Sequence, residues 1–145
     1  MNISQSAGYE SGTFLDASQT LQSILDEQHI VDAVSPQWIP EGFELSAFTA
    51  YPDIDVPTYA ALYENPVTEQ TIIASVMVHH EPQAAMQEKD SSGVTIFKAN
   101  DVEHYIMNNN DKLVATWFSE NLECSITGEI SEGDMETMIN SIYEE

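Results

Sequence analysis

Residues 112–128 read Lys112-Leu113-Val114-Ala115-Thr116-Trp117-Phe118-Ser119-Glu120-Asn121-Leu122-Glu123-Cys124-Ser125-Ile126-Thr127-Gly128. Two runs rich in Val, Ile, Thr, Phe and Trp, 112–119 and 122–128, flank two polar residues, the composition of paired strands. In the second run Leu122, Cys124 and Ile126 alternate with Glu123, Ser125 and Thr127, so one face is apolar and the other is not. A two-residue connection joins antiparallel neighbours, because a parallel crossover needs a dozen residues or more. Working outward, the same alternation predicts strands at 43–51, 57–64, 70–80, 93–98 and 102–108. Asn65-Pro66, Ser91-Ser92-Gly93, Asn100-Asp101 and Asn108-Asn109-Asn110-Asp111 supply reversals between them. Glu81 to Asp90, the longest interruption, is expected to hold one helical turn at Ala84, Ala85 and Met86 or a flexible loop.

Helical period returns at both ends of the chain. Ser131-Glu132-Gly133-Asp134 sets an N-cap hydroxyl three residues before a carboxylate, and Met135, Met138, Ile139, Ile142 and Tyr143 form one stripe. Phe14 to Ala33 reads as a first helix, with Asp16 as N-cap, Gln19 three residues on, and Leu21, Ile24, Leu25 and Gln28 along one face. Ser35-Pro36 ends it, and Pro40 with Gly42 fits a type I turn feeding a strand. The expected fold is α+β: an antiparallel meander of six to seven strands with an N-terminal and a C-terminal helix packed on it. Residues 14–145 form one such domain, and 1–13 are expected to be a disordered leader or linker remnant.

The 145 residues include 25 acids, three lysines and no arginine, a formal charge of −22. That field repels phosphate backbones and anionic lipid, which excludes nucleic-acid binding and direct binding to an anionic membrane. One cysteine rules out an intrachain disulfide framework and any zinc site built from several thiolates. No run approaches the roughly 20 apolar residues of a membrane helix. Met1 to Gly12, polar and without Lys or Arg, is not a signal peptide.

Each candidate for chemistry meets a simpler reading. His79-His80-Glu81 opens like a zinc-protease motif but lacks the second histidine one turn on, and Pro82 disfavours the helix. His79 or His80 with His104 makes a loose zinc pair, against ordinary sheet-face histidines. Asp53 and Asp55, roughly 7 Å apart on one side of an extended segment, lack the glycine-turned loop of a calcium site. Asn108–Asp111 is explained as a polar hairpin turn. Cys124 phases with the core, and no cation near it in sequence would activate the thiol. Trp38, Trp117, Phe118, Tyr105 and Tyr143 could line a groove, but read first as core. No nucleophile elbow or phosphate loop occurs. The expectation is therefore no catalytic residue, no metal, no cofactor and no enzyme.

Trp38-Ile39-Pro40-Glu41-Gly42-Phe43, Gly93-Val94, Trp117 and Ser125-Ile126-Thr127-Gly128-Glu129-Ile130-Ser131, followed by the Met135, Met138, Ile139, Ile142 helix, resemble the family of unknown function DUF4367 over about residues 14–143. The resemblance implies an extracytoplasmic domain, commonly carried behind a single membrane helix, with some relatives in anti-sigma-factor-like membrane proteins. On that basis the expected role is a non-catalytic sensor or interaction domain outside the membrane, through an anchor or signal outside these residues. Its expected partner is a protein, a peptide or a cell-envelope component. The alternative is a lipid, peptide or small-molecule binder with an apolar groove between sheet and helix.

Overall fold

The computed structural model describes residues 12–30, 32–81 and 94–143. Two short strands, β1 (Gly12–Phe14) and β2 (Trp38–Pro40), pair with each other. Seven more form one antiparallel sheet: β3 (Glu44–Tyr51), β4 (Thr58–Glu64), β5 (Thr71–Val78), β6 (Val94–Ala99), β7 (Val102–Asn109), β8 (Lys112–Ser119) and β9 (Leu122–Gly128). The α+β class and the antiparallel sheet are as the alternation predicts. The spatial order is β3-β4-β5-β9-β8-β7-β6, which corrects the single meander. Two local meanders, β3 to β5 and β6 to β9, meet along a central β5–β9 seam running from Ile72 opposite Gly128 to Val78 opposite Leu122. Local turn chemistry reports neighbours in sequence and is silent about such a pairing.

The hairpin turns carry the residues that tolerate a left-handed backbone. Asn100 and Asp101 have φ of 55° and 65°, and Asn110 and Asp111 have 55° and 71°, the signs of two-residue type I′ turns. Asn65 accepts from the Val67 and Thr68 amides through Oδ1 at 3.0 and 3.1 Å, an Asx-type reversal. Gly42, with φ of 94°, lies against the Asn65 side chain, where an added Cβ would meet Nδ2 at 2.6 Å. The expected turn at Ser91–Gly93 and the helical turn at Ala84, Ala85 and Met86 lie outside the described residues.

The long first helix is corrected. Phe14 is extended in β1, Ala17–Gln19 is a 3₁₀ turn, and α1 spans only Gln22–Glu27. Asp16 does begin the turn: its amide donates to Gln19 Oε1 and its carbonyl accepts from the Gln19 amide. Behind α1, His29 takes φ of 65°, donates to the Asp26 carbonyl, and lets Ile30 reach back to Leu25 O, a Schellman stop without glycine. Leu21 and Leu25 are buried as expected, whereas Gln28 is exposed. Gly12 and Thr13, expected in the leader, are strand residues of β1 and pair with Pro40 and Ile39 of β2.

α2 (Glu132–Ile142) starts where the cap predicts, with Ser131 Oγ accepting from the Asp134 amide at 3.0 Å. Met135, Met138, Ile139 and Ile142 are buried against one sheet face with Trp38, Ile39, Leu21 and Leu25. On that face lie Tyr59, Tyr63, Ile72, Val76, Cys124, Ile126, Trp117, His104 and Ile106, all buried. Ser141 Oγ accepts from the Gln37 amide at 2.9 Å, and Gln37 Nε2 donates to Ser141 O, fastening the end of α2 to the approach to β2. The expected apolar groove between sheet and helix is filled by these side chains.

Candidate functional site

The opposite sheet face carries no described helix or strand. Strand register assembles it into rows crossing all seven strands. One row runs Val94, Met107, Val114, Thr127, Ile73, Leu62 and Ala47. The next runs Ile96, Tyr105, Thr116, Ser125, Ser75, Ala60 and Thr49. None of these side chains is buried, and none is charged. At the centre, the Ser75 and Ser125 hydroxyls bond to each other across the seam at 2.8 Å. Ile73 and Ile96 are 41% and 56% exposed. In a chain with 25 acids this band is an exception. Charge returns only at its ends, at Lys98, Glu103 and Glu123 on one side and Glu44, Glu64 and Lys112 on the other. Neutral and apolar surface of this extent, rimmed by charge, is characteristic of a contact surface.

The sequence candidates disperse across the molecule. His79 stands beside Glu123, with Nε2 2.7 Å from Oε1. His80, largely exposed, is 3.4 Å from Asp55 Oδ1. His104 is buried on the other face, so the three histidines do not converge. Among the described residues no group of three or more His, Cys, Asp or Glu side chains could hold a metal ion. Asp53 and Asp55 lie in the exposed turn between β3 and β4 and not on an extended segment.

His104 is held from two sides. Its Nδ1 donates to Phe97 O at 3.1 Å, leaving Nε2 to accept from the Tyr143 hydroxyl at 2.8 Å. Trp117 packs on the ring with centroids 4.9 Å apart. Burial pushes the His104 pKa below 6.5 against the opposing pull of the Phe97 and Val102 carbonyls, so the imidazole is neutral. With both nitrogens used, it is a structural brace. Burial likewise pushes the Cys124 thiol up, helped by the Asp32 and Glu123 charges, and keeps it protonated. Trp38 and Trp117 are core, whereas Phe118 and Tyr105 belong to the open face.

A cleft of about 660 Å³ opens between the 15–26 segment, residues 33–37 and Ile142. Its polar lining is largely occupied: Thr20 Oγ1 donates to Ala17 O, Ser23 Oγ to Thr20 O, and Gln22 Nε2 to Ile30 O. The open face is the stronger candidate. The sequence alternation distinguishes two faces only in 122–128, where Glu123, Ser125 and Thr127 are the non-apolar phase, and it assigns no face to the positions of the other strands. The missed signal is that the open face carries Ser, Thr, Met and Tyr where an ordinary solvent face carries Glu and Lys.

A family model described as Domain of unknown function (DUF4367) matches residues 33–142, which covers the sheet and α2 but not the 15–26 wall of the cleft. No curated protein matches the chain.

Proposed function

The chain belongs to the DUF4367 family, and on that premise we propose that it is a non-catalytic interaction domain that works outside the cytoplasm and binds a protein or peptide through the open sheet face. The observation that carries this reading is the uncharged two-row band on a molecule of formal charge −22. Long-range repulsion turns away nucleic acid and anionic lipid, while the band gives a polypeptide partner a surface that can be desolvated at little cost. A seven-strand sheet at about 4.8 Å per strand offers a width near 30 Å, enough for a standard interface. The extracytoplasmic placement is supported by the family resemblance.

A photo-crosslinking amino acid at Thr116, in the middle of the band, is expected to trap a discrete partner in cells of the native host. The same group at Asn140, exposed on α2, is expected to trap none. Digestion of the domain by protease added to intact cells should follow from its placement. Equal labelling at both sites, or a domain shielded until the cells are lysed, would overturn the reading.

A further inference from the structure

The sheet has two edges, β3 and β6, and they are built differently. β6 has six residues, includes Lys98, and lies in contact with α2. Charge on an edge strand and cover beside it are standard protections against adding another strand. β3 pairs with β4 alone, and no backbone group along its other side is hydrogen-bonded among the described residues. Its bulge at Leu45/Ala47 and Pro52 bracket a regular stretch, Ala47-Phe48-Thr49-Ala50-Tyr51, that contains no Lys, Pro or acid. Ala47, Thr49 and Tyr51 are exposed on one side of the strand; on the other, Phe48 packs against the core and Ala50 is exposed. Acids then stand at both ends: Glu41 and Glu44 before the stretch, Asp53 and Asp55 after it, all exposed.

We propose that β3 is a docking edge that takes an extended peptide segment of a partner as an eighth strand, one with small or apolar residues in its middle and lysine or arginine at both ends. Strand addition satisfies the open N–H and C=O groups of Ala47–Tyr51 and extends the uncharged band, whose rows end at Ala47 and Thr49. The flanking carboxylates select basic ends. A second copy of this chain is disfavoured as the occupant, since two molecules of charge −22 would have to meet. The proposal deepens the interaction-domain reading and rests on it.

Successive residues of a strand point their N–H groups to opposite sides, so Thr49→Pro and Ala50→Pro form a matched pair. One blocks the outer edge and leaves the ladder to β4 intact; the other breaks that ladder and lowers the melting temperature. The probe is a capped peptide of alternating valine and threonine with lysines at both ends. It should bind the wild-type chain and slow hydrogen exchange of alternate β3 amides. Binding should weaken at least about tenfold in the proline variant that melts like the wild type. Unchanged binding in that variant would reduce the peptide to electrostatic adsorption and overturn the proposal. So would absence of binding, or a wild-type homodimer that the same proline disperses. A partner still trapped at Thr116 in the edge-proline variant would sink strand addition and leave the interaction domain standing.

Discussion

His104 shows how one side chain can look functional in sequence and serve the fold. It bridges β7 to the residue after α2 through the Tyr143 hydroxyl and the Phe97 carbonyl, and this requires the neutral ring. With its folded pKa below 6.5, the unfolded chain takes a proton first as pH falls below about 6.5. Stability from this residue is therefore full above that pH and declines below it, down to the folded value. Asp134 and Glu136 act oppositely and lower on the scale. Burial raises both above 3.8 and 4.5, so their ionisation opposes folding and acid relieves it in that lower window. His104→Phe keeps an aromatic of similar size but strands the Tyr143 hydroxyl. It should cost about 1–3 kcal/mol at pH 7.5 and remove this residue's share of the wild-type decline below about pH 6.5. Urea unfolding at several pH values measures both; a parallel pair of profiles would contradict the neutral brace.

Among elements, α2 was the most legible because cap, dipole and stripe agree within a dozen residues. Ser131→Ala should lower stability by about 1 kcal/mol, read as a shift in urea midpoint at unchanged slope. No shift would mean that the helix does not depend on its cap. The strands were legible to within one or two residues of most ends, since register with the core forces alternation on each. The first helix was not. Phe14 and Leu15 carry helix-compatible spacing, yet Phe14 pairs with Trp38, and the Leu15 amide donates to Gln37 O at 2.8 Å. Tertiary pairing overrode a weak local preference, and His29 stopped α1 where no glycine advertised an end.

At the scale of the whole molecule, charge is the dominant property. Among the described residues, both contacts between a carboxylate and a basic side chain use histidine, His79 with Glu123 and His80 with Asp55, and neither uses lysine. With 25 acids against three lysines and no arginine, cations are far too few to pair the carboxylates, and the excess acids repel one another. Salt should therefore stabilise the fold: raising NaCl from about 0.01 to 0.15 M shortens the Debye length from roughly 30 to 8 Å. The melting temperature is expected to climb by several degrees, and a flat response would contradict unrelieved repulsion. The open face shares this molecular origin, which is why no local motif announced it. Thr116, Ser125 and Ser75 are unremarkable singly and become a surface only when β8, β9 and β5 are laid side by side.

The β5–β9 seam also sets a schedule for the chain. Each half of the sheet is stitched by short hairpins, whose closure is fast. Joining Val78 to Leu122 must wait until the distant half has been synthesised and has folded, and it carries the entropy of closing a long loop. Until then the inner edge of the β3–β5 half is bare, and with it the apolar positions Ile72, Ala74 and Val76. A strong common charge gives such a half-built molecule a defence, since two unfinished chains of the same sign resist meeting edge to edge. The acidity that taxes the finished fold thus guards its assembly.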